Sequence, residues 1–179
     1  ETASTSPPED SATAGGGTVT RFRNARSGLC LAVGGDQDEI TAGAPAVTST
    51  CRDRPGQLWR FGSDGLLRNA DRPDLCLDSA QPFGLELSSC GAATGDRAGD
   101  FRYELSPEGL LASREMPDLV VVPARRAVDA PIVLKALDGA EPGRGQLWTT
   151  ETESEAQAGA GTVPAPSASK PLTAALTGR

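Results

Sequence analysis

Short apolar stretches recur along the middle of the chain, with turn-forming residues between them. Residues 18–22 alternate between apolar and polar types, 29–33 form an apolar run, 46–50 are rich in β-branched residues, and 58–61 close the segment. Gly-Gly, Arg-Pro-Gly and Ser-Asp-Gly turns lie between them. No window carries an apolar stripe with the period of a helix, so the pattern predicts an all-β protein.

The apolar segments repeat with a period of about 44 residues, the size of a four-strand unit. The matching segments are 29–31 with 75–77, 73–78 with 117–122, 65–67 with 109–111, and 56–59 with 145–148. They define three units, 18–61, 62–103 and 104–150, with about four strands each. Because β-propellers usually have at least four blades, three units favour a β-trefoil, in which each unit is one leaf.

Small polar residues, glycine and proline dominate both ends of the chain. We therefore expect a flexible linker over residues 1–17 and a disordered Ala/Pro/Ser/Gly-rich tail over 151–179. The chain begins with Glu1 and no charged-then-apolar leader precedes the repeats, which predicts a processed or excised piece of a longer protein. The longest apolar run, 119–122, is too short for membrane insertion.

The composition narrows the function classes. The 179-residue chain has a net charge of −7, which argues against a nucleic-acid partner. It contains no histidine, so histidine-dependent triads and His-ligated zinc are excluded. A pair of catalytic carboxylates would need no histidine. However, no motif indicates such a pair, and we expect neither an enzyme nor a cofactor.

Three sets of residues resemble the leaves of a ricin B-chain-like β-trefoil lectin, of a degenerate type similar to actinobacterial members. The first set is 28–31, Cys51 and 57–59; the second is 75–78 with Cys90; the third is 146–148. The Gln-x-Trp motif closes the first and third leaves, and the resemblance covers about three-quarters of the chain. It implies a carbohydrate-binding module of an exported or surface-anchored protein.

Each of the first two leaves contains two cysteines, and four cysteines allow three pairings. The family resemblance implies disulfides Cys30–Cys51 and Cys76–Cys90. The absence of CxxC spacing and of histidine argues against the alternative of a zinc site. Disulfides would place the protein in an oxidising, extracytoplasmic compartment. The third leaf carries Val120 and Ala136 at the equivalent places.

The resemblance also implies where sugars would bind. In the family, an Asp follows the Leu-Cys-Leu strand, an aromatic residue lies two positions before the second Cys, and a polar residue precedes Gln-x-Trp. The first leaf holds Ala32, Ser49 and Gly56 at these places, and the third holds Val122, Leu134 and Gly145. Neither set contains a carboxylate or a ring, so both leaves are predicted not to bind sugar.

The second leaf retains Asp78, with Ser88 at the stacking place. Phe83, Glu86 and Asp100 are further candidates for sugar contacts, so we expect at most one weak site here. The alternative is that Asp78 only caps a turn, Phe83 fills a gap and Asp100 is solvated. The domain would then be a structural or protein-interaction trefoil, with a protein partner instead of a glycan.

Two further groups of residues have simpler interpretations. Trp59, Trp148, Gln57 and Gln146 are expected in the core, because a chain with so few aromatic residues needs them inside. The acidic loop 36–39 resembles a calcium-binding loop only in composition, since the distal Glu of an EF-hand is missing. No metal site is predicted.

Overall fold

A computed structural model describes residues 17–35, 39–81, 84–139 and 141–152. Most of the predicted linker and tail lies outside these ranges. The described residues form twelve strands and short 3-10 helices. The strands are β1 Val19–Asn24, β2 Cys30–Val33, β3 Ala46–Ser49, β4 Trp59–Phe61, β5 Leu67–Asn69, β6 Leu75–Asp78, β7 Glu86–Ser89, β8 Tyr103–Leu105, β9 Leu111–Ser113, β10 Leu119–Pro123, β11 Ile132–Ala136 and β12 Trp148–Thr152.

Strand pairing follows the threefold repeat. The fourth strand of each leaf pairs antiparallel with the first strand of the next leaf, as β4 with β5, β8 with β9 and β12 with β1. The second and third strands of each leaf form a hairpin: β2 with β3, β6 with β7 and β10 with β11. The pairing of β12 with β1 connects the last leaf to the first. The fold is the predicted all-β trefoil.

Three aromatic side chains, one per leaf, lie in the core and make equivalent hydrogen bonds. Trp59 donates from Nε1 to the Leu31 carbonyl at 3.1 Å, and Trp148 donates to the Val121 carbonyl at 2.8 Å. In the second leaf the Tyr103 hydroxyl, 3.3 Å from the Leu77 carbonyl, takes this place. Each of these hydrogen bonds connects the fourth strand of a leaf to the second strand of the same leaf, and the ring fills part of the core.

Gln57 and Gln146 are buried and connect backbone segments. The Gln57 amide donates to the Thr50 carbonyl and accepts from the Arg52 N–H, so both ends of the side chain are used. Gln146 does the same with Ala136 and Asp138. Since a buried amide must be paired, these contacts explain why Gln precedes the core Trp by two positions.

Both implied disulfides are present, Cys30–Cys51 and Cys76–Cys90, and no cysteine is free. In the third leaf Val120 takes the place of Cys30 and Cys76, and its pairing with Lys135 corresponds to that of Cys30 with Ser49. Leu137, whose N–H donates to the Asp118 carbonyl, corresponds to Cys90, which bonds Asp74 in the same way.

These contacts correct the alignment of the third leaf by one residue. Lys135 lies at the stacking place instead of Leu134, and Leu137 takes the place of the second cysteine instead of Ala136. The Gln146 bond to Ala136 matches that of Gln57 to Thr50 and requires the same shift. The reason is that the hairpin loops differ in length between leaves, so residue counting along the chain does not fix the strand register.

Candidate functional site

The segment that closes the second leaf is Phe101-Arg102-Tyr103, in the place of Gln-x-Trp. Tyr103 has the core hydrogen bond of the tryptophans, and its burial raises the pKa of the phenol. Phe101 replaces the glutamine and packs against Leu66, Cys76 and Ala93 in a small apolar cluster. Asp100 therefore corresponds to Gly56 and Gly145, at the place directly before Gln-x-Trp.

Asp78 lies at the end of β6 with its side chain fully buried. Its Oδ1 accepts a hydrogen bond from the Ala80 N–H at 2.9 Å. Its Oδ2 accepts from the Arg97 guanidinium at 2.6 Å, which forms an ion pair. Because a buried carboxylate is costly unless it is paired, the ion pair with Arg97 offsets the cost of burying Asp78.

Arg97 brings the two predicted aspartates together. It lies in the 3-10 helix Gly95–Phe101, and its Nε is 3.4 Å from the Asp100 Oδ2. Its guanidinium is 5.2 Å from the centre of the Phe101 ring, and its hydrogen bond to Asp78 raises its pKa. With a side chain 45% exposed, Arg97 joins the buried carboxylate to the surface.

Sequence reasoning missed Arg97. The available signal was an arginine three positions before Asp100, a spacing that surface ion pairs often show. Nothing in the sequence places it beside Asp78, which is 19 residues away. This contact depends on how the 3-10 helix folds back over the end of β6.

Two further second-leaf residues lie on the β6–β7 hairpin. Glu86 is half-buried and pairs with Asp78 across the β6–β7 hairpin, so the two side chains share a face of the hairpin. Ser88, at the stacking place, pairs with Cys76. Phe83 lies outside the described residues.

The equivalent places in the other leaves carry no carboxylate. Ala32 pairs with Val47 in the first leaf, and Val122 pairs with Val133 in the third. Gly56 and Gly145 correspond to Asp100. The carboxylates that the sequence predicts to contact sugar therefore all belong to the second leaf.

Two open recesses lie near these positions. One, of about 570 Å³, is bounded by the outer side of the 3-10 helix and by Arg114 and Glu115, and its lining includes neither Asp78 nor Arg97. The other, of about 230 Å³, lies on the third leaf around Val122, Lys135 and Gly145. It occupies the place that corresponds to the Asp78 and Asp100 cluster.

The described part of the chain contains no group of three His, Cys, Asp or Glu residues able to hold a metal ion. Asp36 and Asp38 of the acidic loop lie outside it. Among the described residues, no helix has the length and apolar character needed to cross a membrane.

Comparison with known families agrees with this architecture. Residues 18–115 match the family model of the ricin-type beta-trefoil lectin domain, and the chain belongs to that family. A domain of this family is a carbohydrate-binding module. No curated protein matched the sequence.

Solved structures show the same fold. The C-half of an earthworm R-type lectin, in complex with GalNAc, is 18% identical, with a TM-score of 0.63 over 76% of this chain and 99% of that one. The mdaA-1 domain is 22% identical, with a TM-score of 0.61 over 75% and 90%. The β-trefoil lectin of the Vibrio vulnificus hemolysin/cytolysin, with N-acetyl-D-lactosamine bound, is 17% identical, with a TM-score of 0.60 over 76% and 96%.

Proposed function

We propose that this domain is a non-catalytic glycan-binding module, with one weak saccharide site in its second leaf. The observation that carries the proposal is the convergence of Asp78 and Asp100 on the half-exposed Arg97. Of the three leaves, only the second has a carboxylate at both of these places. The earthworm and Vibrio lectins were solved with GalNAc and N-acetyl-D-lactosamine bound, and we extend saccharide binding to this chain.

The cluster offers both kinds of polar group that sugar hydroxyls require. The Arg97 guanidinium carries several N–H donors, and its two carboxylate partners limit the directions in which these donors can point. Asp100 is partly exposed and supplies an acceptor. Because Asp78 is buried, it acts by holding Arg97 in place and not by direct contact with the sugar. We place Glu86 at the edge of this site.

Affinity is expected to be low. Ser88 has no ring to stack on the apolar face of a pyranose, and such stacking contributes much of the binding energy at shallow sites. The polar contacts also compete with water at an exposed surface. A ring from Phe83 would partly offset this loss.

A protein-interaction trefoil is the second candidate function. Both oxygens of Asp78 are already hydrogen-bonded within the protein, which suits a purely structural role. Met116 and Val128 are large apolar side chains that lie exposed on the third leaf. A protein partner would use surface of this kind, and the predicted sugar cluster would only stabilise the second leaf.

We place this module outside the cytoplasm, as part of an exported or surface-anchored protein. The proposal rests on the two disulfides, because such bonds persist in oxidising compartments. Reaction with a membrane-impermeant label on intact cells would test it. Labelling only after lysis would contradict it.

The test of the binding function is a glycan array with the oxidised protein, followed by titration of the best glycan. We expect Arg97→Ala to weaken binding at least tenfold, because it removes the donors and releases both carboxylates. The matched control is Arg72→Ala in the same leaf. Arg72 also forms an ion pair, with Asp74, and its side chain is 44% exposed against 45% for Arg97. This control should bind within twofold of the parent.

Asp78→Ala should weaken binding as much as Arg97→Ala, because Arg97 then loses its buried partner. Equal binding by the parent and both variants would remove the second-leaf site. A folded protein that binds no glycan on the array would favour the interaction trefoil.

A further inference from the structure

The third-leaf recess is surrounded by positive charge. Arg26, Arg125, Arg126 and Lys135 line it, with Asp138 as the acidic residue of the lining. All four cationic side chains are exposed. In a chain of net charge −7, this is a local reversal of sign.

The four cations have no acidic partner in the part of the chain that the structure describes. Several other arginines do have one: Arg21 pairs with Asp53, Arg23 with Glu151, Arg68 with Asp64, Arg72 with Asp74, and Arg97 with Asp78. Unpaired like charges repel one another, and a concave surface focuses their field. An anion in the recess would relieve this repulsion. Screening over about 8 Å at physiological salt limits the opposing effect of the distant acidic residues.

The recess occupies the place of the second-leaf cluster but with opposite charge. Val122 corresponds to Asp78, Gly145 to Asp100 and Lys135 to Ser88. Val122 and Gly145 therefore replace the two carboxylates that would accept hydrogen bonds from sugar hydroxyls, and the cation Lys135 replaces a serine. Pro123 adds a second apolar side chain next to Val122 in the lining of the recess. The site has lost the groups that suit a neutral sugar and has gained groups that suit an anion.

We infer that this recess binds the anionic group of an acidic saccharide, either the carboxylate of a uronic acid or a sulfate ester. Lys135, Arg125 and Arg126 would contact the anion, while Val122 and Pro123 would lie beneath the apolar face of the sugar ring. A volume of about 230 Å³ is below the usual range for drug-sized ligands, which suits a single sugar unit. The identification of the ligand as a saccharide rests on the proposed glycan-binding function. The choice of the third leaf rests instead on the recess and the charges that line it.

The experiment is a calorimetric titration of the full oxidised chain at about 150 mM salt, where weak long-range attraction is screened. The probes are a sulfated disaccharide, a uronate disaccharide and the neutral forms of both. We expect either acidic probe to bind at least tenfold more tightly than its neutral form. Whichever acidic probe binds shows whether the anion is a sulfate ester or a uronate carboxylate.

Lys135→Glu should weaken binding of the acidic probe at least tenfold. The matched control is Arg102→Glu, which makes the same change in net charge at an exposed residue of the second leaf. It should change affinity less than twofold. Equal effects of the two substitutions would mean that only the net charge matters and would overturn the site, as would the absence of binding by the folded parent.

Two more arms separate this inference from the proposed function. Arg97→Ala should retain acidic-probe binding. If it abolishes that binding, the second leaf is the site and the inference fails. Conversely, the protein could bind the acidic probe but no neutral glycan. This result would contradict the second-leaf site and leave the third-leaf site supported. Inorganic sulfate or polyglutamate binding as tightly as the acidic disaccharide would overturn the saccharide assignment.

Discussion

At one repeated place, the three leaves differ in the identity of a single residue. Ala32, Asp78 and Val122 occupy equivalent positions near the end of the second strand of their leaves, with the same strand pairing. The backbone therefore does not distinguish the leaves at this position. A buried Asp there requires a cation, which Arg97 provides, whereas Ala or Val requires nothing. Charge can thus change in one leaf without a change in the fold.

The core aromatic residues allow volume and hydrogen bonding to be separated. Tyr103→Phe removes only a buried hydroxyl, which lies 3.3 Å from the Leu77 carbonyl, so we expect a loss of about 1 kcal/mol in unfolding free energy. Trp148→Phe removes ring volume and also leaves the Val121 carbonyl without its donor, so we expect a loss of about 2–4 kcal/mol. Urea unfolding of the oxidised proteins measures both. Equal losses would show that the volume of the indole contributes little.

At the scale of the element, the tight turn before β9 packs against the strand that closes the same leaf. Gly109 has φ 99° and precedes β9, where its carbonyl accepts from the Trp148 N–H. A Cβ at this position would overlap the Trp148 carbonyl oxygen. The turn therefore needs glycine for two separate reasons, the backbone conformation and the close approach of the strand that closes the third leaf.

We expect Gly109→Ala to lower the unfolding free energy by roughly 2–4 kcal/mol, the sum of conformational strain and overlap. Gly43→Ala is the matched control, because Gly43 has φ 83° but open space where the added methyl group would lie. It should cost only about 1 kcal/mol. Thermal unfolding of the two variants decides the question, and equal shifts in Tm would mean that the overlap is relieved without cost.

The strands and turns also show which features of the fold could be predicted from the sequence. The strands, the three leaves and the closing Gln-x-Trp pairs were predictable, because burial imposes the same apolar and turn residues in each repeat. The stacking place of the third leaf was predicted at Leu134, one residue before Lys135, since hairpin loop lengths vary and only the pairing with Val120 fixes the register. The second-leaf closure was ambiguous until the Tyr103 hydrogen bond aligned it with Trp59 and Trp148.

The candidate site was less predictable than the fold. Asp78 and Asp100 followed from the family resemblance, and the structure places Arg97 between them. Whether they contact a sugar stays a prediction. The contact between Arg97 and Asp78 is long-range and has no periodic signature. The same holds for the basic recess, whose charges come from both the start and the end of the trefoil and meet only because β12 pairs with β1.

For the whole molecule, the two disulfides stabilise the first two leaves, while the third depends on packing. The bridges join residues 21 and 14 positions apart. The chain-entropy model attributes about 3 kcal/mol to loops of either length and a difference of only about 0.4 kcal/mol between them. Packing losses should also match, because each bridge joins one buried and one half-buried cysteine.

We therefore expect Cys30→Ala/Cys51→Ala and Cys76→Ala/Cys90→Ala to lower the unfolding free energy by similar amounts, roughly 3 kcal/mol each. Urea unfolding without reductant measures both double variants. Dithiothreitol should then strongly lower the urea midpoint of unfolding of the parent and leave the midpoint of a variant without cysteines unchanged. A large difference between the two double variants would contradict the entropic account. It would mean that one leaf depends on its bridge for native packing.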